Sequence, residues 1–318
     1  MIDTEKMAVY KAFGLTISSD IPLPELQGQQ CRDDEIADVH IREADLTGLW
    51  RQISGQQKKI VVKDNIVMFQ LPDVGTFCIR DGETIEVSPA EGSDPAKMRL
   101  YILGTCIGVI LLQRKILPLH GSAISVNGKA YAVVGDSGAG KSTLASVLLN
   151  RGYRLLSDDV IAVTLTQDNI PMVMPSYPRQ KLWQDSIDRL GMELADYQPL
   201  FERENKFAVP VHSRFYSEPL PLAGIFELVK TQDEQIGVSR IQGLERISVL
   251  QRHTYRRSVV PSLGLTEWHF NTSVSLLHRA SLFRLRRPVA GFTAHDLADS
   301  MISEIRCDTY EAKTALVR

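Results

Sequence analysis

The stretch Gly135-Asp136-Ser137-Gly138-Ala139-Gly140-Lys141-Ser142-Thr143 follows the apolar run Ala130-Tyr131-Ala132-Val133-Val134. It leads into a helical pattern carrying Leu144, Ala145, Val147, Leu148 and Leu149. This is the G-x-x-x-x-G-K-[ST] spacing of a phosphate-binding loop, set between a strand and a helix as the motif requires. Glycines at 135, 138 and 140 let the backbone wind around an anion with its N–H groups inward, while the positive end of the helix faces the same point. Lys141 is then placed to reach the β- and γ-phosphates, and the Ser142 hydroxyl to bind Mg²⁺. Gly152 is well placed to end the helix. The expected ligand is ATP with Mg²⁺, held by residues 135 to 143.

Downstream, the strand Tyr153-Arg154-Leu155-Leu156 is predicted to deliver Ser157, Asp158 and Asp159 at its C-terminal end, where an α/β sheet places nucleotide-facing residues. Two adjacent carboxylates can divide the work there: one completes the magnesium shell, and the other accepts the proton of an attacking hydroxyl. Upstream, His120 lies on a strand predicted from Leu117 to about Ile124. The turn Val126-Asn127-Gly128 joins that strand to the P-loop strand. The hairpin lets His120 reach the γ-phosphate region, where it could orient a carboxylate or stabilise transferred charge.

His120-Gly121, the P-loop, and Arg151-Gly152-Tyr153-Arg154-Leu155-Leu156-Ser157-Asp158-Asp159 together resemble the catalytic core of the HPr kinase/phosphorylase family in order and spacing. The resemblance implies phosphate and metal roles for Lys141 and Ser142, a base role for Asp158, a place near the metal for Asp159 and an assisting role for His120. The glycine-containing second signature of the bifunctional enzymes is not found in Pro175 to Val211. The segment from Tyr10 to Glu25 instead resembles the divergent branch that includes the lasso-peptide kinases, which implies phosphorylation of a precursor peptide on serine. A bifunctional HPr serine kinase/phosphorylase and a non-catalytic nucleotide-binding regulator stand as alternatives.

Basic residues are available for the acceptor side. Arg179, Lys181, Arg203 and Lys206 lie in segments that can fold over a P-loop site, where cations would neutralise charge on a transferring phosphoryl group. Residues 240 to 287 carry nine arginines against Glu245 and Glu267. That excess could hold an acidic peptide or the adenine nucleotide, or form a solvated face.

Residues 1–93 are predicted as a β-rich accessory domain, with six short β-branched and aromatic runs fitting an antiparallel sheet. Glu91-Gly92-Ser93-Asp94-Pro95 then breaks the pattern and starts a buried helix to about Arg114. Residues 94–318 form the α/β, HPr-kinase-like P-loop domain. A helix is predicted from about Leu182 to Leu190, separate strands over Val160 to Leu165 and Met172 to Met174, and a mobile substrate loop from Glu193 to Val211.

With 318 residues, 44% of them hydrophobic, and a net charge of −2, the chain reads as an ordinary folded protein with no global attraction to nucleic acid. The uncharged run Leu100 to Gln113 is shorter than the roughly 20 residues of a membrane span. The N-terminus shows no secretory pattern, so a cytoplasmic location is expected. Cys31, Cys78, Cys106 and Cys307 lack metal-ligand spacing and read as free thiols. The expected partner is a ribosomal precursor peptide or small protein, without nucleic acid or membrane. Homo-oligomerisation is left open.

Overall fold

The computed structural model describes residues 8–26, 36–55, 60–193, 197–199 and 205–315. Its N-terminal unit is a seven-stranded sheet built from β1 (Ala8–Ala12), β2 (Leu15–Ser19), β3 (Val39–Glu43), β4 (Ile60–Lys63), β5 (Ile66–Leu71), β6 (Gly75–Arg80) and β7 (Thr84–Pro89), in the order β1-β2-β3-β7-β6-β5-β4. The sheet is mixed rather than antiparallel, because β3 runs parallel to both β2 and β7. Between β3 and β4 lies α1 (Thr47–Ile53), whose Leu49 and Trp50, with the preceding Leu46, pack against Met68 and Cys78.

Asp94 caps the next helix by accepting from the Ala96 N–H, with Pro95 at the first helical position. This helix is α2 (Pro95–Tyr101), a π-helical turn over Ile102–Cys106, and α3 (Ile107–Gln113). It is apolar along most of its length because it is core. Ile102, Cys106, Ile107 and Ile110 are fully buried against Phe77, Ile79 and Ile85 of the sheet, and Val160 and Ala162 of the P-loop unit join the same cluster.

The P-loop unit contains β8 (Leu117–Val126), β9 (Lys129–Val134), α4 (Lys141–Asn150), β10 (Arg154–Leu165), β11 (Pro171–Met174), β12 (Arg179–Trp183), α5 (Gln184–Arg189), β13 (Gln198–Pro199), β14 (Lys206–Pro210), β15 (Leu220–Thr231), β16 (Gly237–Arg240), α6 (Glu245–Arg252), α7 (Thr266–Arg279), β17 (Ser281–Pro288) and α8 (Ala294–Ala315). Its main sheet has the order β11-β10-β8-β9-β15-β17-β16, with β9, β15 and β17 parallel and the rest antiparallel. Leu144, Leu148 and Met301 bring α4 and α8 onto one face, while Val249, Leu250 and Leu276 bring α6 and α7 onto the other.

Three local expectations are corrected. Ser157, Asp158 and Asp159 do not end a strand. Residues 154–165 form one strand, with a bulge between Leu155 and Ser157, held along its length by pairing to β8. Residues 179–183 are a strand, so the helix begins only at Gln184. Lys206 to Pro210, expected within a mobile loop, pairs with β12 as the middle strand of a three-stranded sheet.

Candidate active site

Strand register assembles the site. Asp158 lies opposite Ser122, Asp159 opposite Gly121, and Val160 opposite His120, while Gly121 in turn faces Val134, the last residue before the P-loop. Gly121 is required by close approach: a Cβ there would come within 2.2 Å of the Val133 carbonyl oxygen. His120, the two aspartates and the loop therefore occupy one level of the sheet.

The loop is shaped for phosphates. Gly135, Gly138 and Gly140 all have positive φ, and nothing lies within 4 Å of where a Gly138 Cβ would sit. In this structure the Lys141 ammonium folds across the loop and donates to the carbonyls of Gly135 (2.8 Å) and Asp136 (3.1 Å). Burial lowers its pKa, with Asp158 and Asp159 opposing the shift. α4 ends as expected, with Gly152 at φ +91° and the N–H groups of Gly152 and Tyr153 donating to Leu149 and Leu148.

The two aspartates face different partners. Asp158 is 5% exposed and accepts from the hydroxyls of Ser122 (2.5 Å) and Ser142 (3.0 Å) and from the Lys181 backbone N–H (2.8 Å). Asp159 accepts from Lys181 Nζ at 2.6 Å, and its other oxygen lies 3.5 Å from His120 Nδ1. Strand alternation would send neighbouring side chains to opposite faces. Asp159 instead takes φ +75°, a conformation that costs on the order of 1–3 kcal/mol, and both carboxylates meet Lys181.

Burial pushes the Asp159 carboxyl upward, but Lys181, His120 and Lys206 outweigh it and hold the group well below the usual carboxylate range. Burial acts in the opposite sense on Lys181, where Asp159 wins and raises the ammonium's pKa. His120 is lowered by burial and by Lys141, so it is neutral at pH 7. Its Nδ1 lies 3.0 Å from the Asp159 carbonyl oxygen, which can only accept; Nδ1 therefore carries the hydrogen, and Nε2 keeps a free lone pair.

These groups line one cavity of about 1250 Å³. Of the four expected acceptor-side cations, Lys181 and Lys206 line it. Arg179 does not: it donates to the Pro24 carbonyl, and its buried Nε has no partner among the described residues. Arg203 lies outside the described residues. Asp136, Ser137 and Thr143 also line the cavity, while Ala139 of the same loop is buried.

Sequence reasoning missed several participants. Ser122 is a plain hydroxyl in an apolar strand, and only its register with Asp158 gives it a role. Arg287 donates from Nε to the Ala139 carbonyl and lines the cavity beside the loop. Glu227, 1% exposed on β15, binds His253 and Arg284 and approaches Arg252 at 3.4 Å. It thereby holds two further lining residues, Arg252 and His253.

Residues 113–204 match the HPr Serine kinase C-terminal domain. The HPr kinase/phosphorylase of Mycoplasmopsis pulmonis is 41% identical over 70 residues, covering 21% of this chain and 23% of that protein. The HPr kinase/phosphorylase of Bordetella pertussis is 25% identical over 205 residues, covering 57% of this chain and 65% of that protein. The chain thus spans about a quarter and just under two thirds of those relatives. It is a distant homologue of HPr kinase/phosphorylase through its HPr kinase C-terminal domain. The HPr(Ser) kinase/phosphatase structure from Coxiella burnetii aligns with 62% of this chain and 98% of that chain, at 12% identity and a TM-score of 0.32, a likeness too loose to compare sites.

Proposed function

We propose that this protein is an ATP- and Mg²⁺-dependent serine kinase. The observation that carries the reading is the single level at which strand register sets the P-loop, His120 and the aspartate pair, with the Ser142 hydroxyl bonded to Asp158. The open, positive-φ loop fits a polyphosphate. Among the described residues no three His, Cys, Asp or Glu converge on a metal cage. One carboxylate and one hydroxyl beside a phosphate loop suit Mg²⁺, which commonly takes few protein ligands and shares the phosphates. Bound there, the ion would neutralise phosphate charge.

The geometry supports a different division of labour from the one the resemblance implies. Asp158, tied to Ser142, belongs to the metal side. Asp159 faces the acceptor side but is held ionised by Lys181, which makes it a weak base. His120 Nε2, which has no hydrogen-bond partner among the described residues, would take the serine proton, with Asp159 stabilising the resulting imidazolium. Lys141 would unfold from the loop carbonyls to meet the phosphates, and Lys181 and Lys206 would face the transferring group.

For the acceptor, the relatives favour a serine of HPr or a similar protein over the precursor peptide. The precursor-peptide reading draws on the N-terminal residues, which lie outside the matched segment 113–204, and on the second signature not found in Pro175 to Val211. Incubation with ATP, Mg²⁺ and either HPr or a serine-containing precursor peptide, read by mass spectrometry, tests both. A gain of one phosphoryl group on either supports the kinase, and the modified species decides the acceptor. ATP binding with no transfer to any hydroxyl acceptor would favour the non-catalytic regulator.

A further inference from the structure

Beyond His120 the cavity continues into a wall made of Tyr101, Thr105, Tyr255, Arg256 and Arg257. Its construction is specific. The Tyr255 ring lies 5.7 Å from the His120 ring, and it packs so closely on α3 that a Cβ at Gly108 would meet its Cδ1 at 2.5 Å. Arg256 follows in the left-handed region at φ +53°, stacks 5.3 Å over Tyr255 and donates to the Thr105 hydroxyl. Thr105 belongs to the π-helical turn, an irregularity that often accompanies functional sites.

The wall has more positive charge than its surroundings satisfy. Among the described residues Arg256 meets no carboxylate, and its buried Nε has no hydrogen-bond partner. Arg257 is exposed, lines the same cavity, and its side chain makes no hydrogen bond or ion pair among the described residues. By contrast Arg284 and Arg252, nearby in sequence, are matched by the carboxylate of Glu227. The strained Arg256 backbone and its buried, unpartnered Nε are costs that a ligand carboxylate would offset, and the exposed Arg257 guanidinium is free to pair with the same ligand.

We infer that Tyr255, Arg256 and Arg257 form an acceptor subsite that selects a serine flanked by acidic side chains. Arg256 and Arg257 would pair with a carboxylate of the acceptor segment, and Tyr255 would seat its backbone against the His120 side. The inference rests on the serine-kinase reading.

The test is an array of short peptides with a central serine, varied over the three positions on either side and incubated with the full chain, Mg²⁺ and γ-labelled ATP. Binding of a fluorescent ATP analogue is measured in parallel. Wild-type protein should label peptides flanked by Asp or Glu at least about tenfold above their Asn and Gln counterparts, the factor expected for one good charge-assisted pair. Arg257→Glu, at an exposed position without partners, should erase that preference or turn it toward Lys and Arg while binding the analogue normally. An unchanged acidic preference in Arg257→Glu, or a wild-type preference for neutral or basic flanks, would overturn the subsite. HPr is run as a parallel acceptor: labelling of HPr with no labelled peptide would overturn this inference and leave the kinase reading standing, whereas labelling of neither, with the analogue bound, would defeat both.

Discussion

The two large sheets of this protein have the same number of strands and handle their polar residues in contrasting ways. In the N-terminal sheet the buried carboxylate Glu86 is met by Arg42 and Arg80, partners reaching in from more exposed positions. In the P-loop unit Lys141, Asp158, Asp159 and Lys181 gather beneath one cavity, where burial and neighbouring charges shift Lys141, Asp159 and Lys181. Burying charge is expensive, and adjacent buried charges are kept where they have work to do. One sheet is therefore a support and the other a reaction floor, although strand count alone would not distinguish them.

The contrast breaks most visibly at Lys141. Lys141→Ala removes the only lysine of the P-loop motif, and transfer should fall by at least about 10²–10³-fold, the scale of losing one fixed electrostatic stabiliser. The fold should hold, because the lost ammonium was itself buried at a cost. Steady-state kinetics and titration with a fluorescent ATP analogue check this; near-wild-type turnover would remove the loop from the mechanism.

The aspartates sharpen it next. Asp159→Asn leaves Lys181 buried opposite a neutral amide, and breaking such a pair costs about 3–5 kcal/mol. Thermal melts should show the loss. The sign against pH follows from the shifts. The Asp159 carboxylate is held below its reference value of 3.8, so its contribution is full above that pH and fades as pH falls toward the folded value. Lys181 is raised, so its contribution persists below 10.5 and fades above it. Between those limits the mutant should run parallel to wild type at a constant offset. Asp158→Asn should chiefly raise the Mg²⁺ concentration needed for turnover, whereas His120→Ala should lower turnover by about 10²-fold or more with the Mg²⁺ requirement unchanged. The reverse pattern would restore Asp158 as the base.

Much of the reaction floor was legible because its chemistry is local. The P-loop announces itself within nine residues, and the Asn127-Gly128 turn fixed which strand His120 would share with it. What escaped depends on partners distant in sequence. Adjacent aspartates look like a strand terminus, since Asp is poorly suited to strands; pairing with β8 carries residues 154–165 straight through them. Leu182, Trp183 and Ile187 suggest helical spacing until β14 supplies hydrogen bonds to β12. The parallel pairing of β3 with β2 and β7 leaves no local mark at all. Nor could the role of Arg256 be read, because its anchor, Thr105, lies 151 residues away.

The supporting sheet gives the smallest expected effect, and it tests whether that sheet is a support at all. Glu86→Gln keeps the shape and one carbonyl acceptor for Arg42 or Arg80, but removes the charge. Arg42 is 57% exposed and Arg80 35%, so water already competes for both guanidiniums, and the loss should be about 1 kcal/mol or less. Because Glu86 does not line the P-loop cavity, turnover at saturating ATP should match wild type within error, even where the melting temperature drops. Parallel urea unfolding curves and turnover assays separate the two readouts. A several-fold loss of turnover from so mild a change, at temperatures where the protein is fully folded, would mean that the N-terminal sheet takes part in holding the acceptor. The contrast between support and reaction floor would then have to be redrawn.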